Sequence, residues 1–191
     1  MEENFRSLLA EEFAPYQVLS KIQLEVLESH YALLRKWNKK INLCRFRDLR
    51  EAVELHYCES LYLGRFLPAG ALRVADVGSG AGFPGFPVAV LRTDCEVDLV
   101  ESDQRKAAFL REARNNLPNL HVVAGRAEDC KKRYDWVISR AVRPEIVRSL
   151  QLAPNCALLS TEPSSIKSPW GDRRFIQTFH VELPPALYFS A

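Results

Sequence analysis

Nowhere in the 191 residues is there an uncharged apolar run of about 18 residues, the length a membrane helix requires. The opening Met1-Glu-Glu-Asn-Phe-Arg6 is too polar for a secretory signal. Neither a membrane span nor export is therefore expected, and the location read from the sequence is cytoplasmic. Cysteine is sparse and unpatterned: Cys44, Cys58, Cys95, Cys130 and Cys156 are odd in number, widely spread and without a Cys-x-x-Cys pair. That excludes a disulfide framework and zinc-ligand spacing, so no metal is expected and the thiols read as reduced packing residues. An excess of one charge is also missing, since 26 Lys and Arg against 24 Asp and Glu leave +2, which by itself does not argue for nucleic acid. No internal repeat, low-complexity tract or long linker breaks the chain. With 47 % hydrophobic residues it can bury a core as one globular unit carrying a small appendage.

What is present is unevenly placed. Arg35, Lys36, Lys39, Lys40, Arg45, Arg47 and Arg50 lie within sixteen residues that hold a single acid, Asp48, a local charge of +6. Such a cluster is either a solvated helix face with its loop or a patch that contacts phosphates. Residues 1 to about 70 read as helical: Ser20 and Gln23 suit a capping box, Leu27, Tyr31, Leu34, Trp37 and Ile41 follow helical spacing, and a second helix over about 48 to 63 would bury Leu49, Val53, Tyr57 and Leu61. Pro68 and Gly70 close this part.

From Leu72 the periodicity changes to short β-rich runs: 72–77, 97–100, 120–123, 136–139 and 157–160. Helical patterns separate them: a short one opened by Pro84 or Pro87, a stronger one from Asp103 to Asn116, a turn or short helix from Arg126 to Lys132, and one near Pro144 to Leu152. Such alternation predicts a parallel sheet with right-handed crossovers. Two further runs, 175–181 and 187–190, flank Pro184-Pro185 and suit an antiparallel pair closing that sheet. The expected division is a helical cap over 1–70, packed on a sheet domain over 71–191.

The first of these runs leads into Val74-Ala-Asp-Val-Gly-Ser-Gly-Ala-Gly-Phe-Pro-Gly85, and the second ends in Glu101, sixteen residues further on. Glycines at alternate positions after a strand let a backbone turn sharply and a ligand approach without a Cβ in the way. The spacing is not the G-x-G-x-x-G of a dinucleotide loop, whose helix end receives a pyrophosphate, because Phe83 stands where the third glycine would fall. S-adenosylmethionine has no phosphate; it needs backbone polar groups for its amino-acid end and an acid for its ribose, which Glu101 can supply. Asp76-x-Gly-x-Gly-x-Gly with that acid resembles motifs I and II of class I methyltransferases, and the resemblance implies a Rossmann-like, mostly parallel α/β sheet with an antiparallel final strand.

Further segments narrow the resemblance. Trp37-Asn-Lys-Lys-Ile-Asn-Leu43, His56-Tyr-Cys-Glu-Ser-Leu61, the glycine loop, Glu101-Ser-x-x-Arg-Lys-x-x-Phe-Leu110, Gly125-Arg-Ala-Glu128 and Tyr134-Asp-x-Val-x-Ser-Arg-Ala-Val142 occur in order over about residues 30 to 145. Together they resemble the 16S ribosomal RNA guanine-N7 methyltransferases, also called glucose-inhibited division protein B. The resemblance implies a bacterial enzyme that uses S-adenosylmethionine to methylate N7 of one guanine, guanine 527 by family analogy, in the decoding region of the small ribosomal subunit. By position it implies that Gly78, Gly80, Phe83, Glu101, Ala127, Glu128 and Arg140 contact the cofactor, that Arg140 is also the catalytic residue, and that Lys39, Lys40 and Arg47 contact RNA. A monomer is expected. The chain departs from the pattern at Cys44, where a small hydroxyl residue is usual, and at Ser160-Thr161-Glu162, where the family tends to place Lys-Gly.

The chemistry fits the residues. Guanine N7 carries a lone pair and has no proton to lose, so methylation needs positioning and charge management rather than a strong base. Amino-group methyltransferases typically carry Asn or Asp, then Pro-Pro and an aromatic, after the fourth strand; here the sequence is Ser139-Arg140-Ala141-Val142. Arg140 is a donor, suited to guanine O6, a phosphate or the cofactor carboxylate. Structural roles compete at each position: His56 bridging helices or lying near the base, Trp37 as core anchor or stacking platform, Asn38 and Asn42 as helix-end hydrogen bonders or RNA contacts, Phe83 as packing or cofactor contact. Arg126 suits a turn, and Arg105-Lys106 a solvated face. The alternatives to an RNA methyltransferase are a class I enzyme acting on a small molecule or protein, and a degenerate chain that binds cofactor or RNA without turnover.

Overall fold

The first helix, α1 (Phe5–Phe13), begins where the Asn4 side chain accepts the Ser7 N–H. In the computed structural model, which describes residues 4–114, 117–140, 142–164, 166–171 and 174–183, the second helix, α2 (Lys21–Asn38), opens on the capping box expected from its sequence. Ser20 Oγ accepts the Gln23 N–H at 3.2 Å, and Gln23 Oε1 accepts the Ser20 N–H at 2.9 Å. Leu27, Tyr31 and Leu34 are buried along its inner stripe, with Trp37 and Ile41 at the margin. The helix expected over 48 to 63 is longer and compound. Asp48 caps α3 (Leu49–Ala52), the chain widens into a π-helical stretch over Val53–Cys58, and α4 (Glu59–Phe66) continues it. A π-stretch of this kind is enriched at functional sites, and this one carries His56 beside Leu55.

Seven strands form one sheet: β1 (Arg73–Val77), β2 (Glu96–Glu101), β3 (Leu120–Ala124), β4 (Trp136–Arg140), β5 (Asn155–Ser160), β6 (Ile166–Lys167) and β7 (Phe175–His180), in the order β3-β2-β1-β4-β5-β7-β6. The first five run parallel, β7 is antiparallel to β5, and β6 is antiparallel to β7. The closing antiparallel element is therefore built from 175–180 and a two-residue strand that the sequence did not reveal; the run 187–190 lies outside the described residues. The crossovers are α5 (Gly85–Leu91), α6 (Gln104–Ala113), a single 3-10 turn over Ala127–Asp129, and α7 (Pro144–Leu150).

Alternation along each strand divides two cores. Val74, Val97, Leu99, Leu120 and Ile138 face the α1, α2, α4, α5 and α6 side. Ala75, Val77, Val100, Val137 and Leu158 face α7. Arg92 ties α5 to the end of the helical part, donating to the carbonyls of Leu67 and Pro68 while pairing with Asp94. A segment from Ser168 to Gly171 returns to α1 and α4, where Trp170 packs on Phe13, Tyr16 and Tyr62. No helix among the described residues is long and apolar enough to cross a membrane.

Candidate active site

Strand order reverses between β1 and β4, and in open parallel sheets the crevice at such a switch point, beyond the carboxyl ends of the strands, is where ligands bind. The glycine loop leaves β1 there. Gly78, Gly80 and Gly82 have φ of +73°, +56° and +87°, values that L side chains rarely adopt. Gly85 is required for a different reason: a Cβ there would lie 2.4 Å from Leu99 Cδ2 and 2.7 Å from Asp76 Cβ. The loop is therefore drawn against the sheet, and the Gly85 N–H donates to Asp76 Oδ2 at 2.9 Å. Asp76 is fully buried, its Oδ1 has no partner, and burial pushes its carboxyl up to about 7 despite the Gly85 hydrogen bond.

Glu101, at the end of β2, fixes the loop from the other side. Its Oε2 accepts the Gly80 N–H at 2.8 Å and its Oε1 accepts the Asp103 N–H at 2.8 Å. Each carboxylate oxygen keeps a second acceptor site for ligand hydroxyls. Next to it lies a cavity of about 260 Å³ lined by Gly78, Ser102, Arg126, Ala127 and Glu128, and by Ile146 from α7. Four of the sequence-derived cofactor residues thus meet at one place, Gly78, Ala127 and Glu128 around this cavity and Glu101 through the glycine loop. Positive-φ glycines, an acceptor carboxylate and a half-apolar slot together suit the amino-acid end, ribose and base of S-adenosylmethionine.

Phe83 faces the helical part instead. It is buried, stacks on His56 at 5.1 Å between centroids and meets His30 and Tyr57 edge-on. His30, which the sequence gave no reason to single out, supports the loop from α2: it lies 3.0 Å from the Ala81 carbonyl through Nε2 and 2.7 Å from Tyr57 Oη through Nδ1. Since a carbonyl only accepts, Nε2 carries the proton, and burial holds the imidazole neutral by lowering its pKa to about 3.

Arg140 leaves the end of β4 and points toward the helices. Its Nη1 donates to the Leu55 carbonyl at 2.5 Å and to His56 Nδ1 at 2.9 Å, and Nη2 lies 3.7 Å from Glu59 Oε2. The other His56 nitrogen donates to the Arg45 carbonyl at 3.2 Å, so His56 bridges the helical segment to Arg140. Burial, reinforced by the adjacent Arg140 charge, lowers the His56 pKa to about 4. Glu59 is fully buried, with Arg174 Nε at 3.8 Å from Oε1 and Ser168 Oγ donating to that oxygen at 3.2 Å. Burial raises its carboxyl pKa while the two arginines oppose the rise. Arg140 itself is lowered to about 10 by burial, against the pull of Glu59. The sequence offered no sign that Glu59 and Arg174, 115 positions apart, would share this cluster.

Beyond Arg140 a second cavity, of about 240 Å³, opens at the ends of β4 and β5, with Arg140, Val142, Arg143 and Arg174 among its walls. Val142 separates it from the first, since its Cγ2 stands 3.0 Å from where a Cβ on Gly78 would be. Remaining sequence candidates are more dispersed. Lys39 and Lys40 are exposed at the end of α2. Arg47 is exposed and pairs with Glu51 at 3.2 Å, while Arg50 pairs with Glu12 at 2.6 Å, so acids outside the window offset part of the local charge. Trp37 joins α2 to α6, donating to Glu112 at 2.9 Å and packing edge-on against Phe109. Asn38 closes the end of α2, its Oδ1 accepting the Leu43 N–H and its Nδ2 donating to the Cys44 carbonyl; both take the structural side of the alternatives.

The sheet order with an antiparallel β7, the glycine loop at the switch point and the acid-tipped β2 define a class I methyltransferase. The fold is similar to that of coclaurine N-methyltransferase bound to N-methylheliamine and SAH, with a TM-score of 0.50 and 20 % identity over 97 % of this chain and 68 % of that one. The sequence profile of the GidB family, rRNA small subunit methyltransferase G, matches residues 23–155, and the chain belongs to this family of S-adenosylmethionine-dependent methyltransferases. The protein named ribosomal RNA small subunit methyltransferase G of Methylobacillus flagellatus is 46 % identical over 121 residues, 61 % of this chain and 58 % of its own length. The one so named in Halorhodospira halophila is 40 % identical over 173 residues, 86 % of this chain and 76 % of its own length.

Proposed function

We propose that this protein transfers a methyl group from S-adenosylmethionine to N7 of one guanine, guanine 527 by family analogy, in 16S ribosomal RNA of the small subunit, acting as a monomer in the cytoplasm. Residues 71–191 form the methyltransferase domain and 1–70 a helical cap on it. The observation that carries this reading is the pair of adjoining cavities at the switch point: one framed by the glycine loop, Ala127 and Glu128, the other walled by arginines, with Val142 between them.

S-adenosylmethionine, when bound, supplies an electrophilic methyl group on a sulfonium. Gly78 and Gly80 offer backbone groups to its amino-acid end, Glu101 accepts from the ribose hydroxyls, and Ala127 and Glu128 border the base slot. Phe83 acts from the cap side, seating the loop against His56. Guanine N7 carries its own lone pair and has no proton to lose, so this chain needs to position the base rather than supply a general base. Methylation leaves a positive charge on the ring, and a fixed guanidinium must act through O6 or a phosphate, away from the direction of attack. Arg140, held by Leu55 and His56 and balanced by Glu59, is the cation at that boundary. Lys39, Lys40 and Arg47 hold RNA phosphates from the cap.

The test is to incubate the protein with labelled S-adenosylmethionine and small ribosomal particles lacking the modification, digest the RNA and identify the nucleoside by mass spectrometry. 7-methylguanosine at one position is expected. Label on adenine, cytosine, a ribose oxygen or the guanine N2 amine overturns the N7 assignment; label only in protein or metabolites overturns the RNA reading.

A further inference from the structure

The arginine-walled cavity contains one group of the opposite sign. After β5 the chain turns through Ser160-Thr161-Glu162, the segment where the sequence departs from the pattern it otherwise follows. Ser160 Oγ accepts the Glu162 N–H at 3.0 Å and so fixes the turn. Glu162 lines the cavity together with Arg140, Arg143 and Arg174, over the apolar ends of Leu158 and Leu159. Among the described residues its carboxylate has no hydrogen-bond or ion-pair partner, although three arginines line the same space, two of them with their guanidinium nitrogens turned to Glu59. An exposed carboxylate left unpaired in a basic cavity is available to a ligand that brings its own donors.

Of the four RNA bases, guanine alone presents two parallel donors on one edge, N1–H and N2–H, which match the two oxygens of a carboxylate. N7 lies on the opposite ring, with O6 between. A carboxylate on the N1 and N2 edge therefore leaves N7 free for attack and O6 toward a cation. Adenine offers an N1 lone pair at the same place and is repelled. The cavity, about 240 Å³, is smaller than the roughly 300 Å³ at which sites for drug-sized ligands begin, a size for one extruded base. We propose that Glu162 determines base specificity by accepting hydrogen bonds from N1–H and N2–H of the target guanine. This deepens the guanine-N7 reading and rests on it.

The experiment compares wild type with Glu162→Ala and Glu162→Gln, after wild-type reactions have mapped the methylated position. Small particles are then assembled from 16S RNA joined from fragments, carrying either guanosine or inosine there; inosine keeps N1–H, O6 and N7 but lacks the N2 amine. Wild type is expected to favour guanosine over inosine by about tenfold in kcat/KM, the loss of one hydrogen bond to a charged acceptor at a partly solvated site. Glu162→Ala should react about equally with both and fall to about the wild-type inosine rate or below. Glu162→Gln, whose amide places a donor against one of the guanine donors, should not restore the preference. S-adenosylmethionine affinity and melting temperature should match wild type in both variants, as befits an exposed side chain outside the cofactor cavity. A Glu162→Ala protein that retains the full preference for guanosine overturns the assignment while leaving the guanine-N7 reading intact. If wild type methylates no guanine N7 at all, the proposed function fails, and the assignment fails with it.

Discussion

Glu101 holds the backbone N–H of Gly80 at 2.8 Å, so the carboxylate that suits the ribose also shapes the turn beneath it. Losing hydrogen bonds to a charged acceptor costs about 1.5 to 3 kcal/mol. Glu101→Ala should weaken S-adenosylmethionine binding by about ten- to a hundredfold, and Glu101→Gln, which keeps one acceptor oxygen, should fall between. Calorimetry on folded variants decides this: wild-type affinity in Glu101→Ala removes Glu101 from the cofactor site.

The same loop has a steric requirement that can be tested without ligand. At Gly85 even one methyl group meets Leu99 and Asp76 inside 3 Å, and Asp76 is part of the central strand. Overpacking of this kind costs about 1–3 kcal/mol, and the hydrogen bond from the Gly85 N–H to Asp76 is put at risk as well. Denaturant unfolding should show Gly85→Ala destabilised by at least that much. Gly70→Ala, where no atom lies within 4 Å but φ is +105°, should cost the backbone strain alone, about 1–3 kcal/mol, with no packing loss added.

The residues that were legible in the sequence are those whose role is local. Ser20 and Gln23 cap a helix three residues apart, and five parallel strands follow from runs of apolar residues ended by turns. Glu101 and the glycines were readable because a strand, a turn and an acid lie within one crossover. What escaped depends on distant pairing. Glu59 meets Arg140 at the far end of β4, and Arg174 only after β5 and β6 have brought the chain back to the helices, and no periodicity encodes that meeting. Nothing local to His30 marks it out, yet it supports the Ala81 carbonyl 51 positions on. The strand Ile166–Lys167 is two residues long and exists because β7 offers it an edge.

Arg140 is bound on three sides, and replacement by Lys keeps the charge but not the planar fork whose Nη1 reaches Leu55 and His56 while Nη2 faces Glu59. Arg140→Lys should lower methylation of small-subunit particles at least tenfold with a modest loss of thermal stability. Arg140→Ala should also destabilise the protein, since removing one partner of a buried pair leaves Glu59 with less compensation, at about 3–5 kcal/mol for a pair broken outright. Steady-state rates beside melting curves separate the two effects; full activity in Arg140→Lys would show that charge alone suffices.

His30 makes stability depend on acid in a calculable direction. Its pKa is about 3 in the fold against 6.5 unfolded, so the unfolded chain takes up a proton below pH 6.5 that the folded one refuses. The stability of neutral His30 is complete above pH 6.5 and lost as pH falls toward 3; at pH 5 the loss is about 2 kcal/mol. His56, lowered to about 4, adds to the same trend. Denaturant melts at pH 7 and pH 5 should show His30→Gln with a smaller difference between the two pH values than wild type, and equal differences would mean that His30 does not titrate this way.

The basic cluster is divided by its partners. Arg47 spends part of its charge on Glu51 and Arg50 on Glu12, whereas Lys39 and Lys40 stand exposed at the end of α2 with no ion pair among the described residues. Each single-strand phosphate contact contributes about 0.7 to the slope of log affinity against log salt. Lys39→Gln with Lys40→Gln should therefore flatten the slope for RNA binding by about 1.4, and adding Arg47→Gln should extend this toward 2 by less than a full contact. Cofactor affinity should be unchanged, because neither lysine borders the glycine loop or its cavity. Filter binding over a salt series provides the slope. If it is unchanged in the triple variant, the cluster is a solvated surface and the RNA is held elsewhere, with the arginines of the second cavity the next place to look.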